Sequence, residues 1–185
     1  MSRTLTTWPF LAGEAVLKTP VFEVCRHWFR SPKDGRDKPF TILGCPDWVQ
    51  ILALTPDCRI LLVRQFRHGT RQVSLELPGG VIEPGQTPEE AGRRELREET
   101  GYAADNFRQL AAFRPNPAVQ NNTAYVFAAD NARPAGPTQF DENEDLDLVL
   151  VPAAELPGLV LNGAVDHAMM AAAILFYSAQ GRCER

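Results

Sequence analysis

A chain of 185 residues, 44% hydrophobic and 23% charged, has the composition of a soluble globular protein and enough length to bury a sizeable core. A formal net charge of −4 argues against an extended nucleic-acid groove, and the longest apolar run, Met169–Tyr177, is too short to cross a bilayer. The opening MSRTLTTWPFLAGEAV lacks a basic segment ahead of a long apolar core, and Cys25, Cys45, Cys58 and Cys183 are scattered without metal-ligand pairing. The expectation is a cytoplasmic protein with reduced thiols, without membrane or nucleic-acid partners.

Residues 1–45 are expected to form a separate β-rich unit. Val21–Phe29 and Lys38–Leu43 have strand composition, and Ser31-Pro32-Lys33-Asp34-Gly35 between them is a strong turn signal. A piece this small cannot build its own core, so it needs a partner surface, in the same chain or in a second copy. Trp28, Phe29 and Trp48 either fill that seam or, in one case, stack on a planar ligand. Residues 46–185 then form the main domain.

Asp47–Thr55 and Arg59–Gln65 are expected to pair as a hairpin about Thr55-Pro56-Asp57, because both runs are rich in β-branched residues and leucine. Arg64, Arg67 and Arg71 follow the second strand. Of these, Arg67 is the best placed to hold a phosphate through its planar fork, since it comes just before a glycine-rich stretch. Ser74–Leu77 is a short strand, and Glu76 near its end is a further candidate polar contact.

The chain is organised around Leu77–Tyr102, LPGGVIEPGQTPEEAGRRELREETGY. Pro78, Gly79 and Gly80 allow a sharp turn and close backbone approach. Thr87, Pro88 and Glu90 spell a helix start, with a hydroxyl N-cap, proline at the first position and the glutamate of a capping box. Gly101 supplies a left-handed stop. Glu95, Glu98 and Glu99 stand at i, i+3 and i+4, so their carboxylates share one side of the helix. In bulk water each pair repels by less than ~1 kcal/mol, but at an effective dielectric of 20 by roughly 3 kcal/mol. On an open helix such a cluster is simply solvated. Packed beside a glycine loop, it calls for a cation, and oxygen-only ligands suit Mg²⁺ or Mn²⁺.

Beyond the helix, Phe107–Phe113 and Thr123–Ala129 are expected strands, separated by the turn-rich Arg114–Asn122. Asn131–Pro137 is expected as a surface linker. An acidic loop of Asp141, Glu142, Asn143, Glu144 and Asp145 leads into a strand ending at Val151. Ala153–Leu156 is a candidate helical turn and Ala164–Ser178 a helix.

The spacing Gly80, position 86, then Arg94-Glu95-Leu96-Arg97-Glu98-Glu99-Thr100-Gly101-Tyr102 resembles the Nudix box. Two positions depart from it: Gln86 replaces the first glutamate, and Tyr102 stands where an aliphatic residue is usual. Pro117, fifteen residues past Tyr102, and the acidic loop are similar to the subgroup that hydrolyses ADP-ribose and related nucleoside diphosphate sugars.

That resemblance implies an α+β fold, an α/β/α sandwich with a mixed sheet, carrying the small N-terminal antiparallel β-unit used for dimerisation and for holding the base. It further implies Mg²⁺ (or Mn²⁺) held by Glu95, Glu98, Glu99 and the Gly79 carbonyl, with Glu98 also placed in the catalytic group. Glu142 or Glu144 acts as base or extra ligand. Arg67, Glu76, Trp28 and Trp48 are the candidate substrate contacts, and Arg94 is expected to orient Glu98. Gln86 removes one negative charge from the loop, which lowers the expected metal affinity and catalytic strength, with Glu83 as partial compensation. Alternatives left open are another substrate such as GDP-mannose, and a binding protein whose turnover was lost with the glutamate.

Overall fold

The structure is a computed structural model that describes residues 5–142 and 144–180. Asn143 and Cys183, both named above, lie outside the described residues. The chain divides into two compact units, one running to Pro46 and including Arg114–Asn122, the other made of Asp47–Phe113 and Thr123 onward.

In the first unit, β1 (Phe10–Lys18), β2 (Glu23–Arg30) and β3 (Asp37–Gly44) form an antiparallel meander in that order. Strand β1 is absent from the sequence-based expectation. Its FLAGEAVLK is rich in small residues and every position is exposed, so it lacks the half-buried alternation that marks a strand. The turn into β2 is held by Thr19, whose hydroxyl oxygen accepts from the Val21 and Phe22 N–H groups at 3.2 and 3.0 Å. Edge-to-face contacts link Trp8, Phe40, Phe29, Phe10 and His27, with centroids 5.3–5.8 Å apart. Even so, Phe10, Val16 and Leu17 are 54–58% exposed.

Arg114–Asn122, which the sequence assigns to the main domain, packs with this sheet. The Leu43 N–H donates to the Val119 carbonyl at 2.7 Å and the Cys45 N–H to Asn121 Oδ1 at 3.1 Å. A segment of turns offers few side chains that would announce such a destination.

The second unit contains β4 (Trp48–Ala53), β5 (Arg59–Arg67), β6 (Gln72–Glu76), β7 (Gly79–Val81) and α1 (Pro88–Thr100). These are followed by β8 (Tyr102–Ala103), β9 (Asn106–Phe113), β10 (Ala124–Asp130), β11 (Arg133–Pro134) and β12 (Leu146–Pro152). A 3-10 turn (Ala153–Glu155), α2 (Leu156–Leu161) and α3 (Ala168–Ser178) complete it. The central sheet runs β7-β4-β10-β9 and is mixed, since β4 and β10 are parallel while their other neighbours are antiparallel. A second sheet runs β12-β5-β6.

The expected β4–β5 hairpin does not form. Both edges of β4 are taken by β10 and β7, and both edges of β5 by β12 and β6. One isolated bridge, Leu54–Ile60, is the pairing that remains between them around a tight turn in which Cys58 takes a φ of 60°. Strands that pair with each other and strands that part into two sheets read alike along the chain.

Alternation along β4 sends Val49, Ile51 and Ala53 to one side and Leu52 to the other. On β10, Phe127 and Ala129 join the first set, Val126 and Ala128 the second. The first side packs against Ala91 and Leu96 of α1. The second packs against Leu156 of α2 and Met170, Ala173 and Ile174 of α3. Helices on both faces of the strands make this unit an α/β/α sandwich.

Two smaller corrections concern loops. Asn131–Pro137 is no free linker, because Ala132 is buried and Arg133–Pro134 pairs with Tyr102–Ala103. Helix α3 begins at Ala168 rather than Ala164, where Gly163 takes a φ of 80° and Asn162 Oδ1 accepts from the Ala164 N–H.

Candidate active site

Helix α1 begins as its sequence dictates. The Thr87 hydroxyl accepts from the Glu90 N–H at 3.2 Å, and Glu90 Oε2 accepts from the Thr87 N–H at 2.8 Å. Pro88 occupies the first turn, and Gly101 closes the other end in the left-handed conformation, φ 72°. With both ends set, the helix buries Ala91, Gly92, Glu95, Leu96, Glu99 and Thr100, a stripe repeating every four residues. Two members of that stripe are glutamates.

Glu95 is 7% exposed and Glu99 is 4% exposed, while Glu98, one position off the stripe, stays half-buried. Opposite them lies the glycine strand β7. A side chain at Gly80 would fall on the Glu95 carboxylate, and one at Gly79 on the Val49 carbonyl of β4. Gly80 therefore lets a helix carboxylate meet bare backbone, and Gly79 lets β7 lie close against β4. The Gly79 N–H donates to Glu99 Oε2 at 2.8 Å.

Arg94 links the other two glutamates. Its Nη1 donates to Glu98 Oε2 and its Nη2 to Glu95 Oε1, each at 2.8 Å, and Nη2 also reaches the Val81 carbonyl at 3.2 Å. The expected Arg94–Glu98 pair is thus present, and Glu95 shares it. The Arg94 Nε is buried without a partner among the described residues.

Burial pushes the Glu95 carboxyl up to about 7, partly opposed by Arg94 and reinforced by Glu98 and Glu144. Burial likewise pushes Glu99 up to about 8, opposed by the Gly79 N–H and Arg67 and reinforced by Glu95 and Glu144. Glu144 therefore acts on both buried carboxylates. It is half-buried, its Oε2 accepts from the Asp141 N–H at 3.0 Å, and the Asp141 carbonyl accepts from the Glu144 N–H at 2.9 Å. Glu142, two residues earlier, is exposed in the turn. The sequence leaves these two acids equivalent; the fold separates them.

Arg67 and Glu76 come together as a pair rather than as two separate contacts. Nε and Nη2 of Arg67 donate to the two Glu76 oxygens, both at 2.7 Å, and Glu76 is fully buried. Burial pushes the Glu76 carboxyl up, but its bonds from Arg67 and Ser74 leave it below the usual range. Trp48 starts β4, in register with Val81 and Ala124. Trp28 belongs to the other unit, on β2, with the Arg26 guanidinium 5.8 Å from its ring centroid.

Gln86 turns into its own loop. Its Oε1 accepts from the Glu83 N–H and its Nε2 donates to Glu83 Oε2, both at 3.3 Å. Two features lie outside the candidates that the sequence offers. One is the joint hold of Arg94 on Glu95 and Glu98; the i, i+1 and i, i+4 offsets could have signalled it. The other is the contact of Gly80 with Glu95, hidden because it joins positions fifteen apart.

A divalent cation fits this donor set chemically. Hard carboxylate oxygens are buried beside one another against backbone with no side chain, and the cations they meet are the Arg94 and Arg67 guanidinium groups. Among the described residues, no three His, Cys, Asp or Glu side chains converge closely enough to hold an ion as they stand, and Arg94 occupies Glu95 and Glu98.

The fold and site define an α/β/α protein with a glycine strand laid against a carboxylate-bearing helix. The model of the NUDIX domain matches residues 47–173, and the chain belongs to that family. It is 31% identical over 144 residues to an ADP-ribose pyrophosphatase of Bacillus subtilis (strain 168), covering 77% of this chain and 78% of the relative. An ADP-sugar pyrophosphatase of Mus musculus is 34% identical over 126 residues, 64% of this chain and 57% of the relative. A crystal structure of an ADP compounds hydrolase superposes with a TM-score of 0.84 at 25% identity, covering 98% of this chain and all of that one. Among the described residues, no helix is long and apolar enough to cross a membrane.

Proposed function

We propose that this protein hydrolyses the pyrophosphate bond of ADP-ribose or a related nucleoside diphosphate sugar, releasing a nucleoside monophosphate and a sugar phosphate. The observation that carries the proposal is the burial of Glu95 and Glu99 against Gly79–Val81, with Glu144 and Arg67 both acting on Glu99. The names of the relatives support the choice of substrate.

Glu95, Glu98, Glu99 and the Gly79 carbonyl are the groups that would hold Mg²⁺ (or Mn²⁺). When bound, such a cation neutralises charge on the phosphate oxygens and lowers the pKa of a coordinated water. Arg67 binds a phosphate oxygen through the donors left after its pairing with Glu76. Glu144 takes the proton of the attacking water; of the two loop acids it is the one whose charge reaches the buried pair. Glu142 is the reserve for that role. Arg94 sets the direction of Glu95 and Glu98. Trp28 and Trp48 are the aromatics available to stack on the base, and the chain acts as a homodimer through its N-terminal sheet.

A second reading is favoured by Gln86, whose bonds to Glu83 keep it within its own loop. In that reading the protein binds the nucleotide sugar with little turnover. Mg²⁺-dependent release of AMP from ADP-ribose, run beside a panel that includes GDP-mannose, tests both. Tight binding without product would favour the second. Preference for GDP-mannose would move the substrate assignment.

A further inference from the structure

Arg67 is bonded to one carboxylate and feels the charge of two others. The first is Glu76, fully buried and bonded through both oxygens at 2.7 Å. The others are Glu99 and Glu144, whose charges also act on the guanidinium. An arginine side chain has ample freedom to choose between such partners. If it turned to Glu99 and Glu144, it would neutralise the very carboxylates that a cation needs. Strand β6 supplies the competing partner. Ser74 and Glu76 lie on the same side of that strand, Ser74 assists Glu76, and the buried carboxylate accepts the Nε–Nη2 edge of the guanidinium as a fork.

We infer that Glu76 is a positioning residue that keeps Arg67 off Glu99 and Glu144. It touches no substrate. Its pairing uses two of the five guanidinium N–H donors, and the other three remain for a phosphate. One arginine can then bind an anion next to a cation site without collapsing into that site. This inference rests on the proposed function, because it presumes that a cation and a phosphate meet there.

The charge balance makes the inference testable. Glu76→Gln keeps the shape and one acceptor but removes the charge that competes for Arg67. The freed guanidinium should turn to Glu99 and Glu144, so that two separate affinities fall. Mn²⁺ binding to the resting protein, followed by electron paramagnetic resonance, should weaken by about tenfold or more. KM for ADP-ribose should rise as well.

In the double variant Arg67→Ala/Glu76→Gln, Mn²⁺ affinity should return to the wild-type level or better, while KM stays high. A role for Glu76 in folding alone would lower thermal stability without that recovery. Equal Mn²⁺ affinity in wild type and Glu76→Gln overturns the inference, as does a loss that persists in the double variant. If wild type itself binds no Mn²⁺ and turns over no ADP-ribose, the functional proposal falls and takes the inference with it. Normal wild-type binding and turnover with an unaffected Glu76→Gln overturns the inference alone.

Discussion

Glu99 and Gly79 are joined by a hydrogen bond of 2.8 Å, from the glycine N–H to a carboxylate oxygen that is nearly sealed from solvent. The bond ties the last turn of α1 to β7, and it partly offsets the burial of that carboxylate. Holding this carboxylate ionised is still costly to the fold. The protein retains the group although packing alone would prefer a neutral one.

Glu99→Gln should accordingly separate function from stability. Turnover of ADP-ribose with Mg²⁺ should fall by about 10²-fold or more, since the charge that serves the cation is gone. In the absence of divalent ions, Tm should stay level or rise, because a buried amide costs less to desolvate than a buried carboxylate. A lowered Tm with retained turnover would reverse the assignment of this residue.

Gln86→Glu should lower the Mg²⁺ concentration needed for half-maximal rate. Gln86 Nε2 now donates to Glu83 Oε2 at 3.3 Å, and the substitution would set two carboxylates face to face there. Such a pair gains from a nearby cation. An unchanged Mg²⁺ titration would place this loop outside the influence of the ion.

Acid unfolding should report the Arg67–Glu76 pair. Burial raises the Glu76 carboxyl, but the bonds from Arg67 and Ser74 outweigh it, so its folded pKa lies below the ordinary value of 4.5. A depressed folded pKa contributes stability above the unfolded pKa and loses it as pH falls through the folded one. Wild type should therefore lose Tm more steeply than Glu76→Gln as pH drops below about 4.5. Parallel acid limbs would show that the pair adds no net stability.

Thr87→Ala removes one arm of the capping box and should lower Tm by about 2–4 °C. KM and kcat should change little if α1 still seats Glu95 and Glu99. A large drop in kcat at unchanged Tm would mean that the cap, not the packed stripe, sets the carboxylates.

Sedimentation or light scattering on the full chain should show a dimer at micromolar concentration. Phe10, Val16 and Leu17, each more than half exposed, give the N-terminal sheet apolar surface for a second copy to cover. Val16→Glu should shift the equilibrium to monomer. A wild-type monomer at that concentration removes the dimer from the functional proposal.

What could be read along the chain was whatever a short window determines. Thr87, Pro88, Glu90 and Gly101 mark both ends of α1 because caps act within four residues. The three glutamates share a side because helical geometry is fixed. Strand partners are set by contacts far apart in sequence, so β4 and β5 looked like a hairpin although each is claimed by other strands. Glu142 and Glu144 could not be told apart, because only the path of the loop brings one of them within electrostatic reach of Glu95 and Glu99. For the same reason Arg67 and Glu76, nine residues apart, appeared as two separate contacts.

The excursion of Arg114–Asn122 has a consequence for how this protein can be altered or inherited. Strands β9 and β10 are neighbours in the central sheet, yet the chain between them is built into the N-terminal unit. That unit is consequently not a cassette that one cut can detach. A recombination event or a truncation at residue 46 would carry off three strands and leave behind the loop that completes them, stranded between two core strands. Exchange of the N-terminal unit between relatives requires joints at three places, and its surface is bound to change in step with a nine-residue loop encoded some seventy codons downstream.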